Sequence, residues 1–251
     1  MYLIQKLKTC AMINNIDITS CSTKEKCDFL GIVLDLIENA FDYEKALQRI
    51  NQTQENVNSL RQLITNVEFI PQSLHDKQLL CFLDATDDVE GAVKLAKNYY
   101  EMRKNGPELF GNRNLELPEI KQCLENQFYI NLPLTPNNEC LILHGLSNSN
   151  AKNYVFDEAV KTFVMLAETS LFKHGPRNGF IFIFDLKGAG LGHLARPSVK
   201  SMMKGLKFLQ EGVPINLKAI HILNSVPFSG MILAMIRPFA RSELLNKVSF
   251  C

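Results

Sequence analysis

The sequence feature that most constrains the fold is an apolar run followed by a cluster of glycines, GFIFIFDLKGAGLGHLARP, at residues 179–197. Phenylalanine and isoleucine alternate in this run until Asp185, and no other segment of the chain is as hydrophobic. A short run of β-branched and aromatic residues predicts a central strand that is buried on both faces. The glycines that follow predict a turn. Other elements of the chain must therefore cover this strand.

The glycine-rich turn has two interpretations. A strand followed by GAGLGH is comparable to the dinucleotide-binding pattern GxGxxG, in which glycines let the backbone approach a pyrophosphate. Here His193 occupies the third glycine position, and Arg196-Pro197 delays the next helix. We therefore favour a turn that needs glycine for its backbone angles over a phosphate-binding loop.

The composition indicates a globular protein with a sizeable core. Hydrophobic residues make up 46% of the 251 residues and charged residues 21%. A formal net charge of +1 does not favour a nucleic-acid partner. No run approaches the ~18 apolar residues of a membrane span, and the N-terminus lacks the apolar core of a signal peptide. We therefore expect a cytoplasmic protein.

The first part of the chain has the periodicity of amphipathic helices. Apolar residues recur at spacings of three and four within residues 23–41, after Asn56 and again from Asp76. In the next helix, Thr86 or Asp87 is the predicted N-cap, with Glu90 reaching back in a capping box, and Gly106-Pro107 ends it. We predict a helical N-terminal domain over residues 1–110.

From residue 111 onward, strand patterns alternate with helix patterns. Besides the central run, the predicted strands lie near 127–132, 139–144 and 217–225. The predicted helices span 154–173, about 197–211 and about 228–248, the last interrupted by Pro238. This alternation predicts an α/β domain over residues 111–251 with a mostly parallel sheet.

Motifs that carry catalysis or bind metals are absent from the sequence. There is no GxSxG, HExxH or GxxxxGK[ST], and the five histidines do not pair at ligand spacings. The seven cysteines are scattered without zinc spacing, which favours free thiols in a reducing compartment. Asp185 is expected to pair with a local Arg or Lys rather than to act as a catalytic acid. We predict no catalytic residue, no metal and no cofactor.

Phenylalanine and methionine are more abundant in the second half than a thin sheet requires. These residues can form an ordinary core, or they can line an adaptable apolar cavity. Basic residues between Lys200 and Lys247 can solvate a face or bind anionic headgroups. The segment SGMILAMIRPFARSELL can be a core helix or a mobile lid that offers apolar surface to a membrane.

The motif order identifies a resemblance to a known family. FIFDLKG with its following GH, then LKAIHILNSVPF and MIRPFARSELL, resembles the CRAL-TRIO lipid-binding family. The upstream LHDKQLLCFLDATDDVEGAVKLAKNYYEMRKNGPELF resembles that family's helical N-terminal domain, so the likeness covers about residues 60–248. Within the family, LQEGVPINLKAIHILN is similar to alpha-tocopherol transfer protein-like members, and cellular retinaldehyde-binding protein-like members also belong to it.

The resemblance implies a fold, a function and a set of binding residues. The fold is a three-layer α/β domain behind a helical bundle, with a gate helix around residues 228–245. The function is to enclose one hydrophobic lipid, such as a tocopherol or a retinoid, and to exchange it at a membrane without chemistry. The implied lipid-binding residues are Phe156, Val160, Phe163, Ala167, Phe180, Phe182, Phe184, Leu206, Leu209, Ile222, Met231 and Met235. The implied residues for a phosphoinositide headgroup are Lys218, Arg237, Arg241 and Lys247.

The sequence departs from the family pattern at several positions. Asn216 and Glu243 stand where two further basic residues of a headgroup site are expected, and Cys81 and Asp84 replace basic residues of the helix DKQLLCFLDA. The family's domain normally continues past the position of Cys251, which implies a shortened domain.

Three hypotheses follow from these observations. The first is a monomeric lipid-binding and transfer protein that contacts membranes transiently. The second is a ligand-free scaffold or interaction module that keeps the fold. The third is a nucleotide-dependent oxidoreductase that uses the glycine turn, and it is the weakest of the three.

Overall fold

The computed structural model describes residues 41–224 and 228–251. The helix predicted for residues 23–41 lies outside this part of the chain, apart from Phe41. The helices are α1 (Tyr43–Arg49), α2 (Gln54–Ile64), α3 (Asp76–Asp84), α4 (Val89–Asn105), α5 (Pro107–Phe110), α6 (Pro118–Asn126), α7 (Phe156–His174), α8 (Leu191–Leu194), α9 (Val199–Glu211), α10 (Ser229–Ile236) and α11 (Ser242–Leu245). The strands are β1 (Gln127–Leu132), β2 (Cys140–Leu146), β3 (Phe180–Asp185), β4 (Leu217–Leu223) and β5 (Val248–Phe250).

Helices α1 to α5 pack into one apolar cluster. Helix α2 begins at its N-cap Thr53, whose hydroxyl accepts a hydrogen bond from the backbone N–H of Asn56 at 3.2 Å. Its buried face carries Val57, Leu60 and Ile64, as the periodicity predicts. These side chains belong to the cluster that also contains the buried residues of α3 and α4. The helical character of the N-terminal part is therefore confirmed for the residues from 43 onward.

The predicted cap of α4 is wrong. Asp88 is the N-cap, and its Oδ1 accepts a hydrogen bond from the N–H of Gly91 at 2.7 Å. The hydroxyl of Thr86 instead donates to the carbonyl of Phe82 at 3.1 Å, so it is held by the end of α3. Asp88 is the residue after the two predicted candidates, Thr86 and Asp87, and the path of the α3–α4 turn places the cap there.

The sheet is mixed and mostly parallel. Its strand order is β1-β2-β3-β4-β5, in which β1 is antiparallel to β2 and the other neighbours are parallel. Strand β3 is central, as its wholly apolar sequence predicts. The α/β class and the mostly parallel sheet are confirmed. Strand β5 was not predicted, since three residues are too few to show a strand period, and it forms by pairing with the edge of β4.

Helix α7 connects the helical part to the sheet. Its Leu166 and Ala167 are buried in one cluster with Phe180 and Phe182 of β3, and the same helix contacts α3 and α5. The opposite face of the sheet has a smaller apolar cluster, which is built from strand residues including Leu143 and Ile183. The domain boundary near residue 110 stays a prediction.

Candidate functional site

An apolar cavity of about 390 Å³ lies between the sheet and the helices α7, α9 and α10. This volume is within the range of pockets that hold small molecules. Strands β3 and β4 form its floor through Phe182, Phe184, Ile220 and Ile222. On α10 the lining residues are Ile232, Met235 and Ile236, with Phe228 just before the helix. The spacing of three and four among them places one face of α10 against the cavity.

Ten of the twelve residues predicted to bind lipid line this cavity. They are Phe156, Val160, Phe163, Ala167, Phe182, Phe184, Leu206, Leu209, Ile222 and Met235. The structure therefore brings them together around one space, and their contact with a ligand stays a prediction.

Phe180 and Met231 do not line the cavity. Phe180 is on the same face of β3 as Phe182 and Phe184, but it lies at the other end of the strand, where it is 2% exposed within the core. Met231 lies at the margin of the lining face of α10 and is 47% exposed. Residue type and periodicity predict which residues lie on one face of a helix or strand. They do not predict which residues of that face reach the cavity.

Stacked aromatic rings form the wall of the cavity near Phe163. The ring of Phe163 meets that of Phe182 edge-on with centroids 4.8 Å apart, and it stacks on that of Phe184 at 5.2 Å. The imidazole of His144 meets Phe184 edge-on at 5.7 Å. Such pairs stabilise one another beyond their burial, by about 0.5–1.5 kcal/mol each. They make this part of the wall a defined surface.

A buried cluster of polar side chains holds the ring of His144 in place. His144 Nε2 lies 2.9 Å from Gln127 Oε1, which also accepts a hydrogen bond from the hydroxyl of Tyr129 at 3.0 Å. The amide nitrogen of Gln127 donates to Cys123 Sγ at 3.2 Å, which fixes the amide orientation. Burial lowers the pKa of His144 to about 4, so this side chain is neutral at physiological pH.

Asp185 ends β3 at the edge of the cavity. We expected an Arg or Lys partner, but its Oδ1 accepts hydrogen bonds from Asn224 Nδ2 at 2.6 Å and from the backbone N–H of Lys187 at 2.9 Å. The parallel pairing of β3 with β4 brings the end of β4 beside Asp185, and this register supplies the amide partner. Asp185 therefore anchors the ends of two strands.

The glycine-rich segment after β3 forms a turn and the short helix α8. Gly188 has φ +82°, a conformation that favours glycine. Gly190 has extended backbone and is the N-cap of α8, and its N–H donates to His193 Nδ1 at 3.1 Å. His193 thus stabilises the turn in which it stands at a glycine position of the dinucleotide pattern.

The four residues predicted to bind a headgroup have different surroundings. Lys218 is exposed at the start of β4, and Arg237 is exposed just after α10. Arg241 pairs with Glu211 at the end of α9, and Lys247 Nζ donates to the carbonyl of Leu217 at 2.6 Å. Phosphoinositide binding by these residues stays a prediction.

Lys218 also lines a second, polar cleft of about 750 Å³, and the other three predicted headgroup residues do not. Asn216 is another lining residue of this cleft. Its charged lining residues are Arg49, Arg177 and Lys218 together with Asp84, Asp87 and Glu139. The basic and acidic groups are equal in number, so the cleft has no excess positive charge for a phosphate.

Sequence reasoning missed the polar residues of the apolar cavity, namely His144, Tyr154 and His193. Burial raises the pKa of the Tyr154 hydroxyl, which therefore keeps its proton. His144 lies beside Phe184 because of the register of β2 with β3, and the sequence does not give this register. Within the described residues, no cluster of His, Cys, Asp and Glu could hold a metal ion, and no helix is both long and apolar enough to cross a bilayer.

The fold and cavity together define an α/β domain that encloses an apolar space. Residues 128–251 match the CRAL/TRIO domain, and residues 49–120 match the Pinta-like UBA domain. The first of these matches confirms the resemblance to the CRAL-TRIO family over residues 128–251.

Individual relatives agree with this assignment. The chain is 28% identical over 225 residues to the Mus musculus protein named alpha-tocopherol transfer protein-like, covering 86% of this chain and 64% of that protein. The Homo sapiens protein of the same name is 28% identical over 226 residues, covering 86% and 65%. The chain thus spans 64–65% of the length of these curated relatives. The crystal structure of Sfh5 is similar with a TM-score of 0.51 and 12% identity, over 79% of this chain and 81% of that one, which shows the fold alone.

Proposed function

We propose that this chain binds one hydrophobic lipid in the cavity and transfers it between membranes without making or breaking a bond. The observation that carries the proposal is the cavity, whose lining is almost wholly apolar. Burial of apolar lipid surface in such a space contributes roughly 25 cal/mol per Å². The names of the relatives make a tocopherol the first ligand to test. A retinoid is the second, because the sequence also resembles cellular retinaldehyde-binding protein-like members.

Helix α10 is the proposed gate. One face of α10 closes the cavity, while Met231 beside that face is 47% exposed. On α9, which contacts α10, Val199 and Met203 are 65% and 45% exposed. Opening of residues 228–245 on a bilayer would connect the cavity to the acyl chains, and the exposed apolar side chains would contact the membrane. Exposed Lys218 and Arg237 would add attraction to anionic lipids.

The binding step is tested with a variant that fills the cavity. Gly205 of α9 lines the cavity, and a Cβ at this position would meet only Val160, at 3.8 Å. Gly205→Leu therefore places a side chain in the ligand's space and removes a helix-interior glycine, which favours helix by about 1 kcal/mol. Gly230→Leu is the matched control, because Gly230 does not line the cavity and a Cβ there meets nothing within 4 Å.

The measurement is fluorescence titration of the purified chain with α-tocopherol and with retinol. We expect one molecule bound per chain, a loss of affinity of about tenfold or more in Gly205→Leu, and a change within about twofold in Gly230→Leu. Absence of binding by the unmodified chain, or equal affinities in all three proteins, would contradict the proposal and favour the ligand-free scaffold.

A further inference from the structure

His193 is a buried polar residue in the wall of the apolar cavity. It belongs to α8, is 7% exposed and lines the cavity. Two contacts hold its ring in place. Its Nδ1 accepts the hydrogen bond from the N–H of Gly190 at 3.1 Å, and its ring meets that of Tyr154 edge-on at 5.5 Å. The imidazole is therefore fixed before any ligand enters.

The hydrogen bond to Nδ1 determines whether the other ring nitrogen, Nε2, is a hydrogen-bond donor or an acceptor. A neutral imidazole that accepts at Nδ1 carries its proton on Nε2. Burial lowers the pKa of His193, which keeps the ring neutral. Nε2 is buried and has no hydrogen-bond partner within the described part of the chain. Because a buried donor without a partner destabilises a protein, such groups are uncommon and require an explanation.

The same cavity presents a hydrogen-bond acceptor on His144. Gln127 Oε1 can only accept, so the proton of His144 lies on Nε2, 2.9 Å from that oxygen. Nδ1 of His144 is therefore an acceptor. The residues that line the cavity thus include one imidazole with an unpartnered donor and one imidazole with an acceptor nitrogen.

The charge of the wall limits the ligand further. Among the described lining residues none is Lys or Arg, and Asp185 is the charged one. A fatty-acid carboxylate or a phosphate in this cavity would lose its hydration without gaining a cation, and Asp185 would repel it. The polar group of the ligand is therefore expected to be neutral.

We propose that His193 is a specificity residue whose Nε2–H donates a hydrogen bond to the oxygen of a neutral lipid alcohol in the cavity. This inference rests on the proposed function, because it requires a lipid in that space. It adds the residue that recognises the uncharged hydroxyl of such a ligand, and it assigns a role to a side chain that is otherwise left with an unsatisfied donor.

The test compares three ligands of equal chain length: 1-hexadecanol, hexadecane and hexadecanoate. Each displaces the apolar fluorophore diphenylhexatriene from the unmodified chain, from His193→Phe and from His193→Gln. Phenylalanine keeps a ring of similar size without a donor. Glutamine can accept from Gly190 through its amide oxygen and donate through its amide nitrogen.

We expect the unmodified chain to bind 1-hexadecanol about tenfold more tightly than hexadecane or hexadecanoate, the size of one well-formed hydrogen bond. His193→Phe should lose this preference, so that within this variant the affinities for 1-hexadecanol and hexadecane differ by no more than about twofold. His193→Gln should restore part of the preference. A merely structural role of His193 would instead weaken all ligands together.

Two failures are distinguishable in this experiment. If diphenylhexatriene does not bind the unmodified chain, the proposed function is wrong and the inference with it. If the fluorophore binds but the unmodified chain does not prefer the alcohol, or prefers the carboxylate, the inference alone is overturned. Retention of the full alcohol preference in a folded His193→Phe variant would also overturn it.

Discussion

At the scale of single residues, burial destabilises the ionised form of Asp84. It lies at the end of α3 and lines the polar cleft. Burial raises its pKa to about 6, and the nearby charges of Arg49 and Lys218 offset this only in part. The folded state therefore binds a proton at Asp84 more tightly than the unfolded chain does. As pH rises from about 4 to about 6, ionisation of Asp84 therefore lowers the free energy of unfolding.

We therefore expect Asp84→Asn to stabilise the protein in a pH-dependent way. At pH 7.5 the variant should gain about 1–3 kcal/mol in the free energy of unfolding, because a shift of one pKa unit corresponds to about 1.4 kcal/mol. At pH 4 the gain should be close to zero. Urea denaturation of the variant and the unmodified chain at both pH values measures the gain in the free energy of unfolding. The control is Asp87→Asn on the same cleft, where an exposed side chain should change stability by no more than about 0.5 kcal/mol. Equal gains at both pH values would contradict the expectation.

At the scale of elements, the proposed gate α10 has one face that lines the cavity and one side chain beside that face that is exposed. Ile232, Met235 and Ile236 face the cavity, whereas Met231 is largely exposed. The helix is followed by Pro238, which limits its length. Binding and membrane contact should therefore respond to different substitutions on the same helix.

We expect Met231→Glu to slow transfer of a fluorescent lipid to vesicles by about five- to tenfold, since a charge replaces an apolar side chain at the proposed membrane contact. Ligand affinity in solution should stay within about twofold, because Met231 does not line the cavity. The matched control is Leu63→Glu on α2, where a leucine is 54% exposed far along the chain from the gate. Equal transfer rates for the two variants would count against α10 as the gate.

At the scale of the whole molecule, a buried charge network joins the helical part to helix α7, which packs on the sheet. Glu168 of α7 is 7% exposed on its side chain and binds Arg113 at 2.6 Å. It also accepts a hydrogen bond from the hydroxyl of Tyr99 at 2.9 Å and lies 3.5 Å from Arg103, both of which belong to α4. One carboxylate thus compensates two partly buried guanidinium groups, and one of them, Arg103, lies across the contact between α4 and α7.

Glu168→Gln should destabilise the whole chain by about 3–5 kcal/mol, because it leaves two desolvated cations without a carboxylate. Urea denaturation followed by far-UV circular dichroism measures this loss. Glu116→Gln is the control, since the Glu116–Lys121 pair is exposed and should contribute at most about 1 kcal/mol. Similar losses in the two variants would mean that the network does not hold the two parts together.

Much of the fold could be predicted from local patterns. The apolar run before Asp185 is the central strand β3, and β1 has the predicted bounds. Strand β5 could not be predicted, because its three residues form a strand only by pairing with β4. The N-cap of α4 was placed wrongly, because three adjacent residues can cap a helix and only the turn geometry distinguishes them.

The candidate site divides in the same way. Helical and strand periods indicate which residues share a face, and ten of the twelve predicted residues therefore line one cavity. Whether a side chain packs in the core or lines a cavity depends on the distance to the neighbouring elements. For this reason Phe180 is a core residue, whereas Phe182 and Phe184, on the same face of β3, line the cavity. A residue's own sequence context does not encode that distance.

The sequence by itself determined the α/β class, the helical character of residues 43–110 and the resemblance to the CRAL-TRIO family, because alternating periods and motif order are local properties of the chain. The tertiary structure alone decided that the apolar surplus encloses a cavity beneath α10. It also decided which polar groups reach that cavity. The acceptor on His144 and the donor on His193 follow from hydrogen bonds to Gln127 and Gly190, and the first of these depends on a long-range contact that only folding creates.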